Sequence, residues 1–169
     1  MNNLILINVL RFFVLILLQV LVFNSFEFLR FLNPAIYILF VFLFPIRKDR
    51  TIFLVSSFFL GLFIDFFSNS GGINAASILL IAYLRIYVIN FLHRNREFDF
   101  VLFHPRSLSF GKMVSYVGIL TFIHQFVFYL LSNFSFHNFL NLLTKITIST
   151  IFTTILLVLS ILLFEKKTK

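Results

Sequence analysis

The stretch Gly61-Leu-Phe-Ile-Asp65-Phe-Phe-Ser68-Asn-Ser70-Gly71-Gly72-Ile-Asn74-Ala-Ala-Ser77-Ile-Leu-Leu-Ile-Ala82-Tyr-Leu-Arg85 decides the fold. An apolar helix carries one acid, Asp65, four residues after Gly61. It breaks at the polar turn 68–72, and a second apolar helix begins through small residues. An ionisable group inside an apolar span costs about 2.5 kcal/mol or more, so Asp65 needs a reason to be there.

The rest of the chain fixes the class. Of its 169 residues 60% are apolar and 12% charged, and the mean hydropathy is +1.04. That charged fraction is about half that of a soluble domain. The chain therefore reads as one all-α integral membrane domain spanning 1–169, with no room for a separate soluble domain. Cysteine is absent, which removes disulfides, thiolate chemistry and iron–sulfur ligation. Phe occurs 28 times and Trp never; an AT-rich coding bias explains this, and no function attaches to it. The net charge of +8 sits between apolar runs, so its partner is the anionic surface of the lipid bilayer, not nucleic acid.

Six spans are predicted, at about 4–23, 33–46, 51–67, 73–92, 113–131 and 141–164. The second and third are short and call for tilt or local thinning of the bilayer. Asn33 and Pro34 open the second span as a cap followed by proline at the first helical position. Pro45 and the run Arg47-Lys48-Asp49-Arg50 close it, making spans two and three an antiparallel hairpin. Loops 47–50, 93–112 and 165–169 hold Arg47, Lys48, Arg50, Arg94, Arg96, Arg106, Lys112, Lys166, Lys167 and Lys169, whereas the opposite loops hold only Arg30. This asymmetry places both termini in the cytoplasm. No basic segment precedes the first apolar run and no small-residue cleavage site follows Phe23, so it reads as a span and not a cleaved signal. A later start of that span, at Phe12 behind Arg11, is the second choice, because it draws Glu27 and Arg30 toward the membrane. Loop 93–112 mixes basic and aromatic residues and is expected to lie on the inner membrane surface.

Polar spacing marks the faces that meet protein. Asn8, Arg11, Leu15 and Gln19 share one face of span one, Ser57, Gly61 and Asp65 one face of span three, and Asn74, Ser77, Ile81 and Arg85 one face of span four. Span five offers Gly111, Ser115, Gly118, Gln125, Tyr129 and Ser132; span six offers Lys145, Ser149, Thr153 and Ser160. Small and hydroxylated residues let helices approach and hydrogen-bond, at about 0.6–2 kcal/mol per bond. Three roles for Asp65 stay open: such a helix contact, a buried ion pair with Arg11, or proton or substrate binding. Arg85 is expected to snorkel to the inner interface. His124, alone of the four histidines within a span, reads as a hydrogen-bonded core residue. No metal-ligand spacing, phosphate-cradling loop, nucleophile elbow or paired carboxylate is present, so no catalytic constellation and no cofactor site are expected.

In order, Asn33-Pro34, a short apolar helix ending at Pro45, Gly61-x-x-x-Asp65, the Ser/Gly turn, and Ser77-Ile-Leu-Leu-Ile-Ala82-Tyr-Leu84 resemble the bacterial rod shape-determining protein MreD family. The likeness covers about 33–85; spans five and six agree only in being apolar. It implies a non-enzymatic scaffold of the wall-elongation machinery in the bacterial inner membrane. Such a subunit binds a bitopic MreC-like protein, linked to the MreB filament and to the peptidoglycan glycosyltransferase and transpeptidase. It also implies the fold of the substrate-binding subunits of energy-coupling-factor transporters. A vitamin-binding subunit of that kind is the alternative, and an intramembrane enzyme or other transporter the third reading. Those subunits dock through a small-xxx-small pattern in the first span, and here Asn8 is followed at i+4 by Phe12.

Overall fold

A computed structural model describes residues 2–24, 34–46, 50–92, 105, 108–133 and 139–164. Asn33, most of loop 93–112, the run 47–49 and the basic tail 165–169 lie outside the described residues, so the expectations placed on them do too. All described elements are helical: α1 (Asn2–Leu17), continued by a π-helical turn (Leu18–Phe23), a 3₁₀ turn (Ile36–Ile38), α2 (Leu39–Leu43), α3 (Thr51–Ser68), α4 (Ile73–Leu92), α5 (Phe110–Ser132) and α6 (Phe139–Phe164). Five windows, Leu6–Phe23, Thr51–Ser68, Ile73–Leu92, Phe110–Ser132 and Leu140–Leu163, are long and apolar enough to cross a bilayer. Their outer faces are what lipid requires. Leu6, Leu10, Phe66, Phe91, Leu140 and Leu163 are 64–79% exposed, a surface that water would not tolerate but hydrocarbon does. The chain is thus a multi-pass membrane protein.

Helices α3 to α6 pack in sequence order, each antiparallel to the next. The α3–α4 crossing is closest at Gly61, where an added Cβ would lie 2.5 Å from the Ala75 Cα and 2.8 Å from the Ala75 nitrogen. Between them Asn69 closes α3 in the left-handed region (φ 52°), and Gly71 and Gly72 follow at φ 66° and 93°. Side chains with a Cβ rarely adopt such values, so the two glycines make this turn.

The second predicted span departs from a continuous helix. Only eight residues, Ile36–Leu43, are helical, and they change from 3₁₀ to α at Leu39. Pro34 is not the first residue of a helix; it stands two residues ahead of the 3₁₀ turn, and Ala35 after it is non-helical (φ −91°, ψ 72°). At the other end Phe44 is extended (φ −69°, ψ 131°), the conformation a following proline imposes. Every residue from Pro34 to Phe42 is buried. Irregular backbone at membrane depth survives only where protein encloses it, and here α1, α4, α5 and α6 do so. The segment runs parallel to α4. Tyr37 reaches Asn74, and Phe42 and Phe44 reach Arg85, eleven residues or about 16 Å further along that helix.

Candidate functional site

This interrupted segment, held at both ends by polar side chains from distant helices, is the candidate site. At one end stands Asp65, the sole acid among the described residues. Its Oδ1 accepts from the Asn74 backbone N–H (3.0 Å), Asn74 Nδ2 (3.0 Å) and Ser70 Oγ (2.5 Å), and its Oδ2 accepts from the Ala75 N–H (2.8 Å). Asn74 and Ala75 are the second and third residues of α4, whose N–H groups have no partner within the helix. Asp65 thus caps α4 from the neighbouring helix and places a negative charge at its positive end. Its own carbonyl accepts from Asn69 and Ser70, so one residue ties the end of α3 to the start of α4.

A buried chain continues from this cap. Asn74 Oδ1 accepts from the Tyr37 hydroxyl (2.7 Å), which lies 2.8 Å from His124 Nε2. Beside it, Gln19 in the π-helical turn accepts from the Ile36 N–H through Oε1 (3.0 Å) and donates to Asn24 (3.1 Å), which donates to Ser68 (2.7 Å). The start of the 3₁₀ turn is therefore pinned by α1, α4 and α5 together.

At the other end the helix α2 exposes its last carbonyls to two arginines. Arg85, 1% exposed, donates from Nη1 to the Phe44 carbonyl (2.8 Å), from Nη2 to the Phe42 carbonyl (3.2 Å) and from Nε to the Tyr116 hydroxyl (3.0 Å), with Phe53 under its guanidinium at 5.4 Å. Arg11 donates to the Leu43 carbonyl (3.2 Å). A cation beside the negative end of a helix is favourable, and the planar fork serves several acceptors at once. This replaces two expectations. Arg85 does not snorkel to an interface; it turns into the bundle because unpaired carbonyls await it there. Arg11 donates to the Leu43 carbonyl at the Arg85 end of the segment, whereas Asp65 is engaged at the opposite end.

The other expected residues fall as follows. Ser57, Gly61 and Ser77 are buried on the α3–α4 faces, and Ser77 Oγ bonds back to the Ile73 carbonyl. Gln125 donates to Thr153 and Tyr129 meets Ser149 across α5 and α6. Gly111, Ser115, Ser132 and Lys145 are exposed, so those two predicted stripes are shorter than drawn. Sequence reasoning missed Tyr37 and Tyr116. The available signal for Tyr37 was its hydroxyl, the one polar side-chain group between Ala35 and Ile46.

A groove of about 670 Å³ opens to the lipid-facing surface between α1 and α3, with Phe40 and Phe44 of the interrupted segment as its floor. Phe12 meets Phe40 and Phe63 edge-on, each at 6.0 Å, and so occupies the position where a small residue was sought. Asn8 and Thr51 lie at one end of the groove and Phe63 towards the other. Among the described residues no group of three His, Cys, Asp or Glu side chains is placed to hold a metal ion. No protein-family model matches the sequence, and no curated protein and no solved structure is significantly similar to it.

Proposed function

We propose that the chain is a non-enzymatic scaffold of the bacterial cytoplasmic membrane, of the rod shape-determining MreD type. It holds the transmembrane helix of a bitopic MreC-like partner and through it links the cytoskeletal filament to peptidoglycan synthases. In this reading the interrupted segment is the sixth crossing, and both termini are cytoplasmic. The observation that carries it is the groove beside an underpacked helix. Only 17% of the Leu6–Phe23 window is buried, against 33–39% in the other four spans. Helix α1 therefore lacks neighbours along the flank where the groove runs about 18 Å from Thr51 to Phe63. A partner helix laid there gains the packing contacts that drive association in lipid.

The test is co-expression with a bitopic partner and purification in mild detergent. Val55→Trp or Ser56→Trp, which fill the groove from the α3 wall, should abolish copurification and rod shape while leaving the abundance of the chain unchanged. Retained partner and retained shape in both variants would remove the groove from the interaction. Reporter fusions after Lys169 and near Asn95 should both report cytoplasm, and an external signal at either rules out this topology.

One observation favours the second reading, a vitamin-binding transporter subunit. Interrupted helices at membrane depth are the element from which carriers build their sites. Saturable vitamin uptake by cells expressing the chain, with wall growth unaffected by its deletion, would select that reading over the scaffold.

A further inference from the structure

Helices α5 and α6 carry five enclosed polar atoms without a hydrogen-bond partner among the described residues, one of them Gln125 Oε1 on α5. The others are Thr121 Oγ1 and His124 Nδ1 on α5, both on side chains that are 0% exposed, and Thr150 Oγ1 and Thr154 Oγ1 on α6. The register of the interface sets Thr154 level with His124, Thr121 one turn further along, and Thr150 one turn back beside Gln125. Tyr129 meets Ser149 (2.8 Å) and Gln125 meets Thr153 (3.2 Å), so each four-residue step back along α5 matches four residues forward along α6. Thr121 stands one turn from Gln125, Thr150 and Thr154 flank Thr153, and a Cβ on Gly118 would touch Thr154 at 4.0 Å. A polar atom buried without a partner costs about 1–3 kcal/mol, and five on two neighbouring helices call for an occupant.

The hydrogen-bond chain on the other side of His124 assigns what its Nδ1 needs. Asn74 Nδ2 donates to Asp65 and to Ser70, which leaves Oδ1 as the acceptor for the Tyr37 hydroxyl. That hydroxyl has spent its proton, so His124 Nε2 carries the N–H and donates to it. Nδ1 is then a bare lone pair that requires a donor, while the three threonines offer hydroxyl groups. A cation is a poor fit, because the one acid among the described residues is already engaged through both oxygens. Water has the matching valence, with two donors and two acceptors and two to four bonds in protein interiors.

We propose that the α5–α6 interface binds ordered water at membrane depth, one molecule donating to His124 Nδ1 and accepting from Thr121, with Thr154 beside it and Gln125 Oε1 and Thr150 one turn away. The water then extends the chain Asp65–Asn74–Tyr37–His124 across to α6, so α3, α4, the 3₁₀ turn, α5 and α6 share one polar network.

Thr121→Val is nearly isosteric and gives opposite signs for the two cases. If the hydroxyl holds water, the variant lowers the thermal midpoint of the purified protein, by about 2–4 °C for one lost bond. If the hydroxyl is merely stranded, removing it raises the midpoint. The wild-type chain supplies the second measurement. With ¹⁵N-histidine in bilayers, magnetisation should pass from water protons to the His124 Nδ1 resonance, assigned by its loss in His124→Gln. A raised midpoint in Thr121→Val, or no transfer to that nitrogen, overturns the proposal.

Discussion

Replacing Asp65 separates a structural acid from a reactive one. Its carboxylate receives four hydrogen bonds, two of them from backbone N–H groups that α4 cannot satisfy internally. Asp65→Leu strands both N–H groups at about 1–3 kcal/mol each and loses the Ser70 and Asn74 side-chain bonds, each worth about 0.6–2 kcal/mol in a membrane interior. The expected loss is about 3–6 kcal/mol once partial relaxation is allowed. Asp65→Asn keeps one acceptor oxygen but turns an amide NH₂ toward a donor, either the Ala75 N–H or the Ser70 and Asn74 cluster. It should cost about 1–3 kcal/mol. Ser70→Ala removes the bond to Asp65 and the bond that Ser70 Oγ accepts from Asn74, and should cost about 1–2 kcal/mol. Unfolding in mixed detergent micelles, followed by helical circular dichroism, reads all three. The order Leu, Asn, Ala is the prediction. An Asp65→Leu variant within about 0.5 kcal/mol of wild type would refute the cap, and activity lost in Asp65→Asn at unchanged stability would restore a chemical role for the acid.

Two further substitutions probe the frame around the interrupted segment. Gly61→Ala should part α3 from α4, because its Cβ would fall 2.5 Å from a backbone atom that cannot rotate away; a loss of about 1–3 kcal/mol is expected in the same unfolding assay, and a neutral result would mean the helices are not in contact there. Arg85→Leu should cost about 3 kcal/mol or more by stranding the Phe42 and Phe44 carbonyls, Arg85→Lys should recover only part of this because an ammonium lacks the planar fork, and Tyr116→Phe should be mildest. Equal stability of Arg85→Lys and wild type would show that charge alone suffices.

The α3–α4 pair was legible because its signals are local. The apolar runs, the turn with Asn69, Gly71 and Gly72, and the small face at Ser57 and Gly61 all lie within 51–92, and the reading of span four matches α4 (Ile73–Leu92). The interrupted segment was not legible. Hydropathy registers removal from water, and residues 34–46 are as apolar as a span because protein, not lipid, surrounds them. Their geometry is dictated by Gln19, Arg11 and Arg85 over sequence separations of 17, 32 and 41 residues. The expectation that Arg85 would snorkel failed for the same reason. Seven residues from the end of α4 it could reach an interface, and only the fold reveals three acceptors waiting inside.

The three charges around the interrupted segment obey one rule. Asp65 sits at the N-terminus of α4, and Arg85 and Arg11 sit at the C-terminus of α2, each opposite the sign of the helix end it meets. Such a pairing turns costly residues into fixtures, since removing either partner strands the other. It also bears on what the bundle can do. For Asp65 to take up a proton or a solute it would have to release the start of α4, and for Arg85 to meet an anion it would have to release the end of α2. A carrier needs groups that exchange partners cheaply, whereas a scaffold needs faces that stay where they are. With both ends of the interrupted segment held by internal bonds, the proposed scaffold would act through its surface, and the groove beside α1 is one place where that surface departs from a plain lipid contact.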